Sequence, residues 1–195
     1  MYLKVYLAGP EVFLPDAVEV GRRKVEICAR HGLAGLFPLD LDQPAGPMSA
    51  AEIYRACLSA MRQADAVIAN LSPFRGSGAD PGTAFELGFM AALGRPVFGY
   101  TNEPRSLFDR VAEDAGPLRQ VGDLHFAADD LAVENFEHFD NLMLAEALLA
   151  TGPGVFRPEA PPDDPARDPT VFERCVRRAA AILRDSSAGR SVENH

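Results

Sequence analysis

The sequence predicts an α/β protein: an open, mostly parallel sheet with helices on both faces, followed by a Pro-rich strap and a C-terminal helix. Three observations carry that prediction. Short apolar and β-branched runs alternate with segments whose apolar positions recur at helical spacing. The run AVIANL at 66–71 reads as a strand buried on both faces, as in a parallel sheet. Glycine, proline and capping residues fall where one kind of segment gives way to the other.

In chain order, residues 2–8 (YLKVYLA) read as a strand halted by Gly9-Pro10. From 16 to 31, Val18, Gly21, Val25 and Cys28/Ala29 recur at helical spacing, and Gly32 supplies the stop. Residues 34–38 form a second short strand ending in Pro38-Leu39-Asp40. Ser49-Ala50-Ala51-Glu52 is a capping box opening a helix to about residue 64. AVIANL follows, then the polar, glycine-rich loop SPFRGSGADPG, then a helix over 82–93 closed by Gly94. Residues 96–100 resemble a fourth strand, 107–112 and 141–150 further helices, and 124–126 a weak strand.

Residues 152–169 hold six prolines and two glycines, which marks a linker or surface strap. Beyond it Val171, Phe172, Cys175, Val176, Ala179, Ile182 and Leu183 make an apolar stripe on a helix capped by Asp168 and started by Pro169. The expected organisation is thus an α/β domain over 1–150, then a strap and amphipathic helix over 151–195 packed on the domain or on a partner subunit. The polar residues from Ser186 onward are expected to fray.

The 195 residues carry 19 basic and 28 acidic side chains, a net charge of -9. So acidic a chain, without a basic run, argues against partners such as nucleic acid or anionic membranes. It contains no apolar stretch long enough to span a bilayer, and its first residues lack an export-signal pattern. Three widely spaced cysteines (Cys28, Cys57, Cys175) with no CxxC pair read as reduced thiols of a cytoplasmic protein. The four histidines form no ligand spacing, so no metal is expected.

In such a sheet the site lies beyond the carboxyl ends of the strands, which selects the loops 9–13, 38–42 and 72–82. The last is the most informative. In the helix after it, Glu86 is the sole charged residue beyond Thr83, among apolar residues and glycine. A helix apolar all round is a buried one, and a carboxylate within it carries a desolvation cost. Placed in the first turn, Glu86 is expected to be held ionised by the helix dipole, as a positioned nucleophile or general base; the alternative is a cap for the loop's N–H groups. Asp80 has two open readings, a helix cap or a partner that holds or passes a proton. The loop glycines match neither GxxxxGK[ST] nor GxGxxG, so no phosphate cradle is expected. Arg75 would touch an anion or stand solvated. Tyr6 and Phe13 would stack on a flat ring or pack the core.

Taken together, these segments resemble the nucleoside 2-deoxyribosyltransferases. The resemblance runs through Val5-Tyr6-Leu7-Ala8-Gly9-Pro10, Pro38-Leu39-Asp40, the 64–71 strand and Asp140-Asn141-Leu142-Met143. It is strongest in Pro73-Phe74-Arg75-Gly76 and Ala79-Asp80-Pro81-Gly82-Thr83-Ala84-Phe85-Glu86-Leu87-Gly88, and covers about residues 3 to 150. It implies a flavodoxin-like fold and a cofactor-free, two-step exchange. Glu86 attacks the anomeric carbon of a 2'-deoxynucleoside, and the deoxyribosyl ester then passes to a second base. The leaving base takes its proton from Asp80, and Tyr6 matches a tyrosine near the nucleophile. Phe13 falls where the base stacks. Gly9, Asp40, Phe74, Arg75, Gly82 and Met143 match substrate-binding positions. Asn141 matches a residue that reaches a neighbouring subunit's site, which implies a homo-oligomer whose partners are small deoxynucleosides and free nucleobases.

Related deoxynucleotide N-hydrolases carry Ser where this chain has Asp80, so an anion there favours a free nucleoside over a 5'-phosphate. One position departs from the pattern. The family's carboxylate or amide, eight residues before the strand-opening Asp65, is here Cys57, a weak hydrogen-bond partner. Two competing functions therefore stand beside base exchange: N-glycoside hydrolysis on the same site, and a nucleoside-binding protein weakened at Cys57.

Overall fold

The computed structural model describes residues 2–40 and 47–192. Its central sheet is parallel throughout, with β1 (Leu3–Ala8), β2 (Leu33–Leu36), β3 (Ala66–Asn70), β4 (Val97–Tyr100) and the late strand β8 (Val155–Phe156) in the order β2-β1-β3-β4-β8. This is the flavodoxin-like order, in which the chain leaves β1 on one side for β2 and returns on the other for β3. β3 is buried along its whole length, as the AVIAN run requires of a strand covered on both faces.

Helices cover both faces. On one, α1 (Ala17–Arg30) and α6 (Thr170–Val192) close a core around Val5, Ile27, Phe37, Ile68, Phe98 and Phe172. On the other, α2 (Ala50–Gln63), α3 (Pro81–Ala92) and α5 (Leu142–Thr151) pack around Tyr6, Met61, Val67, Leu87, Met90 and Leu148. The capping box of α2 forms as expected: Ser49 Oγ accepts from Glu52 N, and Glu52 Oε2 accepts from Ser49 N at 2.8 Å. α4 (Leu107–Ala115) leads into a separate antiparallel sheet of β5 (Arg119–Val121), β6 (Leu124–Phe126) and β7 (Ala132–Val133).

Several details differ from the sequence reading. The weak strand at 124–126 exists, but in that small sheet rather than the central one. The Pro-rich strap supplies the fifth central strand: two residues, too short for a periodicity to register. The apolar stripe of α6 packs into the main core through Val171, Phe172, Cys175, Val176, Ala179 and Leu183. That helix runs on past Ser186, whose Oγ donates back to the Ile182 carbonyl at 2.9 Å.

In α1 the buried face is Ala17, Val20, Gly21, Lys24, Ile27 and Cys28, whereas Val18 is exposed. The helix is rotated from its apolar reading because Lys24 turns inward to meet an acid. Gly21 is required there, since a Cβ would lie 2.3 Å from the Phe37 ring.

Candidate active site

The carboxyl ends of β1 and β2, with the start of α3, open on a cavity of about 480 Å³ whose lining includes Gly9, Phe13, Cys57, Asp80, Gly82 and Glu86. β1 delivers Tyr6 from below: its hydroxyl is fully buried and donates to Glu86 Oε1 at 2.6 Å. α3 delivers Glu86. Thr83, Leu87 and Met90 fix the inner face of that helix, while Phe85 and Leu93 stay exposed, so α3 is half-covered rather than buried all round.

The electrostatics of Glu86 depart from expectation. α3 begins at Pro81, which puts Glu86 in the second turn, past the reach of the helix-terminal charge. Burial pushes its carboxyl up to about 7, and the nearby Asp80 charge raises it too, against the lowering effect of the Tyr6 bond. Burial and the Glu86 charge drive the Tyr6 hydroxyl far upward, so it stays protonated and donates. The Cys57 thiol, beside the Tyr6 hydroxyl, is also raised, first by burial, and so is neutral near pH 7. A neutral thiol is a poor nucleophile.

Asp80 is buried and caps α3, Oδ2 accepting from Thr83 N at 2.8 Å and Thr83 Oγ1 at 3.0 Å. The same side chain lines the Glu86 cavity, so capping α3 does not remove it from the pocket. Gly9 has a packing reason as well: a Cβ there would sit 2.0 Å from Glu11 Oε2 and 2.9 Å from Asn70 Cβ.

The remaining sequence-singled residues are distributed more widely. Phe74 and Arg75 line an adjoining cavity, with the Phe74 ring stacked on Phe13 at 5.1 Å and the Arg75 guanidinium 4.8 Å from the Phe74 centroid. Arg75 sits at φ 53, a left-handed conformation held by the turn around Gly76. Asp40 is exposed in the turn after β2, where Pro38 and Leu39 rather than Asp40 reach the Glu86 cavity. Residues 41 and 42 of that loop lie outside the described residues. Asn141 caps α5, accepting from Met143 N at 3.0 Å and donating to Glu134 Oε1 at 2.7 Å. It and Met143 are exposed and lie outside this chain's Glu86 cavity.

Sequence reasoning missed two buried polar groups that hold the site loops. Glu11 Oε1 accepts from Lys24 Nζ at 2.6 Å, Asn70 Nδ2 at 2.8 Å and Tyr100 OH at 2.8 Å. Burial alone would raise the Glu11 carboxyl, but Lys24 and the Tyr100 bond hold it below its ordinary value. Arg110 donates to the carbonyls of Ser77, Arg105 and Phe139, and pairs with Asp140 at 3.6 Å. Asp140 in turn accepts from Ala79 N and Asn141 N, both at 2.8 Å, tying the Asp80 loop to the start of α5. The available signal was a charged residue interrupting an apolar pattern: Glu11 before Val12, and Lys24 in the stripe of α1. Among the described residues no His, Cys, Asp and Glu grouping could hold a metal ion.

An open parallel sheet with a tyrosine-bonded carboxylate at its carboxyl edge defines a protein of the flavodoxin-like α/β class with a carboxylate-lined pocket. The chain belongs to the nucleoside 2-deoxyribosyltransferase family, whose family model matches residues 5–143. Among solved structures it is similar to a 2-desoxiribosyltransferase from Leishmania mexicana, 35% identical with a TM-score of 0.58, over 73% of this chain and 85% of that one. A conserved protein from Enterococcus faecalis V583 shares the fold, with a TM-score of 0.56 at 18% identity over 92% of this chain and 99% of that one. An uncharacterized protein of Schizosaccharomyces pombe is 38% identical over 113 residues, 55% of this chain and 54% of that protein. The match thus spans about half the length of that curated relative.

Proposed function

We propose that the protein transfers a 2-deoxyribosyl group between nucleobases by double displacement on Glu86. The observation that carries this reading is the 2.6 Å bond from Tyr6 to Glu86 in a pocket shared with Asp80. A carboxylate bonded on Oε1 keeps Oε2 for attack, and one whose pKa stands near 7 is both ionised and nucleophilic at working pH. Its attack on C1' breaks the glycosidic bond through an oxocarbenium-like state, and the base departs with a proton that Asp80 passes to it. A second base then attacks C1' of the ester, passing its N–H proton back through Asp80, Glu86 leaves as carboxylate, and configuration is retained overall.

Among the described residues the pocket lining holds no Lys, Arg or His, which favours free nucleosides over 5'-phosphates. We place Asn141 and Met143, exposed at the start of α5, in a neighbouring subunit's site within a homo-oligomer. The role is nucleotide salvage in the cytoplasm, on purine deoxynucleosides alone or on purine and pyrimidine deoxynucleosides alike. The three free cysteines suit that compartment, and among the described residues no helix is long and apolar enough to cross a membrane.

The test is chromatography of deoxyadenosine or deoxyinosine incubated with the protein, with and without a second base, beside Glu86→Ala. A new deoxynucleoside formed by the unmodified protein alone is the expected result. Free base released equally with or without acceptor would replace transfer by hydrolysis. Binding without any product would leave a nucleoside-binding protein.

A further inference from the structure

One line of hydrogen bonds joins the loops after β1, β3 and β4 to the strap that precedes α6. It starts at Asn102, buried in the loop after β4. Asn102 Nδ2 donates to the Pro165 carbonyl at 2.7 Å and the Asp168 carbonyl at 3.0 Å, and its backbone N–H donates to Ser72 Oγ at 2.9 Å. Ser72 Oγ donates in turn to Asn70 Oδ1 at 2.7 Å, which also accepts from Ser72 N at 3.0 Å. Asn70 Nδ2 ends the line on Glu11 Oε1 at 2.8 Å. From the Asn102 N–H to Glu11 every donor points the same way, toward a carboxylate, and bonds in such a series polarise and strengthen one another.

The strap end of the line is anchored as well. Arg167 grips Asp16 through two bonds of 2.8 Å, and Asp168 Oδ1 accepts from Thr170 N at 2.7 Å where α6 begins. Strap and helix lie past residue 143, where the family match ends.

Two aromatic rings hang on this line. Glu11 is two residues from both Gly9 and Phe13, and Ser72 is two residues before Phe74. The rings of Phe13 and Phe74 stack at 5.1 Å. Phe13 is 57% exposed, so core packing does not fix its ring and the anchoring of its loop must. Tyr6 and Glu86 take no part in the line, because their bond joins β1 to α3 directly. We propose that Asn102 is a positioning residue, through which the C-terminal strap sets the spacing of the loops that carry Phe13 and Phe74 beside the Glu86 pocket. The inference rests on the proposed function only for its kinetic readout. Loosening the line displaces the aromatic pair and leaves the displacement groups in place, so substrate binding weakens while the chemical step does not.

The experiment compares the full chain with Asn102→Asp, Ser72→Ala and the double variant. Asn102→Asp keeps the shape and the backbone N–H but turns an acceptor on two carbonyls, whereas Ser72→Ala removes one oxygen from the middle of the line. Amide hydrogen exchange is expected to rise in residues 10–14 and 72–79 in either variant, and in the strap as well for Asn102→Asp. KM for a deoxynucleoside should rise about 5- to 10-fold, with kcat within about twofold and its pH limb unmoved. In the double variant the KM effects should fall short of their product, since both cut one line. Exchange that rises in the strap alone, or a lower Tm with KM unchanged, would overturn the inference, as would KM effects that simply multiply. Ser72→Ala decides the matter by itself where Asn102→Asp does not fold. A protein that turns over no deoxynucleoside would fail the proposed function, and the exchange pattern would still decide this one.

Discussion

Replacing Glu86 by Gln should make the protein more stable at pH 8 and leave it little changed at pH 4.5. An unfolded chain releases the Glu86 proton near the ordinary value of 4.5, whereas the folded protein holds it until about 7. Folding therefore binds a proton between those values, and the contribution of Glu86 to stability falls as pH rises through that window. The difference between 4.5 and about 7, at about 1.36 kcal/mol per pH unit, amounts to about 3 kcal/mol at pH 8. Partial solvent access makes this an upper figure. Glutamine keeps the shape and an oxygen to accept the Tyr6 hydroxyl, but carries no charge to desolvate. The assay is urea denaturation of both proteins at pH 4.5, 6 and 8, with the difference in unfolding free energy plotted against pH. A difference rising from near zero towards about 3 kcal/mol is expected. A flat difference would mean that the Glu86 carboxyl is solvated, and the argument that burial tunes the nucleophile would fail.

Two further changes probe the groups around it. Tyr6→Phe removes a donor that lowers the Glu86 pKa, so the rising limb of kcat/KM against pH should move above about 7 and kcat fall about 10- to 100-fold; an unmoved limb would show that Tyr6 only packs. Arg110→Met leaves three carbonyls and the buried Asp140 without their partner, and should cost about 3–5 kcal/mol, seen as a Tm lower by roughly 6–20 °C; a loss below about 1 kcal/mol would contradict the anchoring role.

Much of this protein is local in origin and so was legible in the chain. β3 declares itself because a strand covered on both faces must be apolar throughout, and the α2 capping box because its two bonds close within four residues. Glu86 stood out for a similar reason, as a lone carboxylate on an otherwise apolar helix. Tertiary structure decided what depends on residues far apart in sequence. The pKa of Glu86 is raised first by burial, with the Asp80 charge adding to it, and lowered by Tyr6, 80 positions away, rather than set by the α3 dipole. Lys24 is buried because Glu11 waits for it, which turns α1 away from its apolar phase. β8 pairs with β4 through two residues, and no local pattern can mark a strand so short. Local hydrogen bonds and hydrophobic period are written in neighbouring residues, whereas charge and solvation at a site are sums over whatever the fold brings beside it.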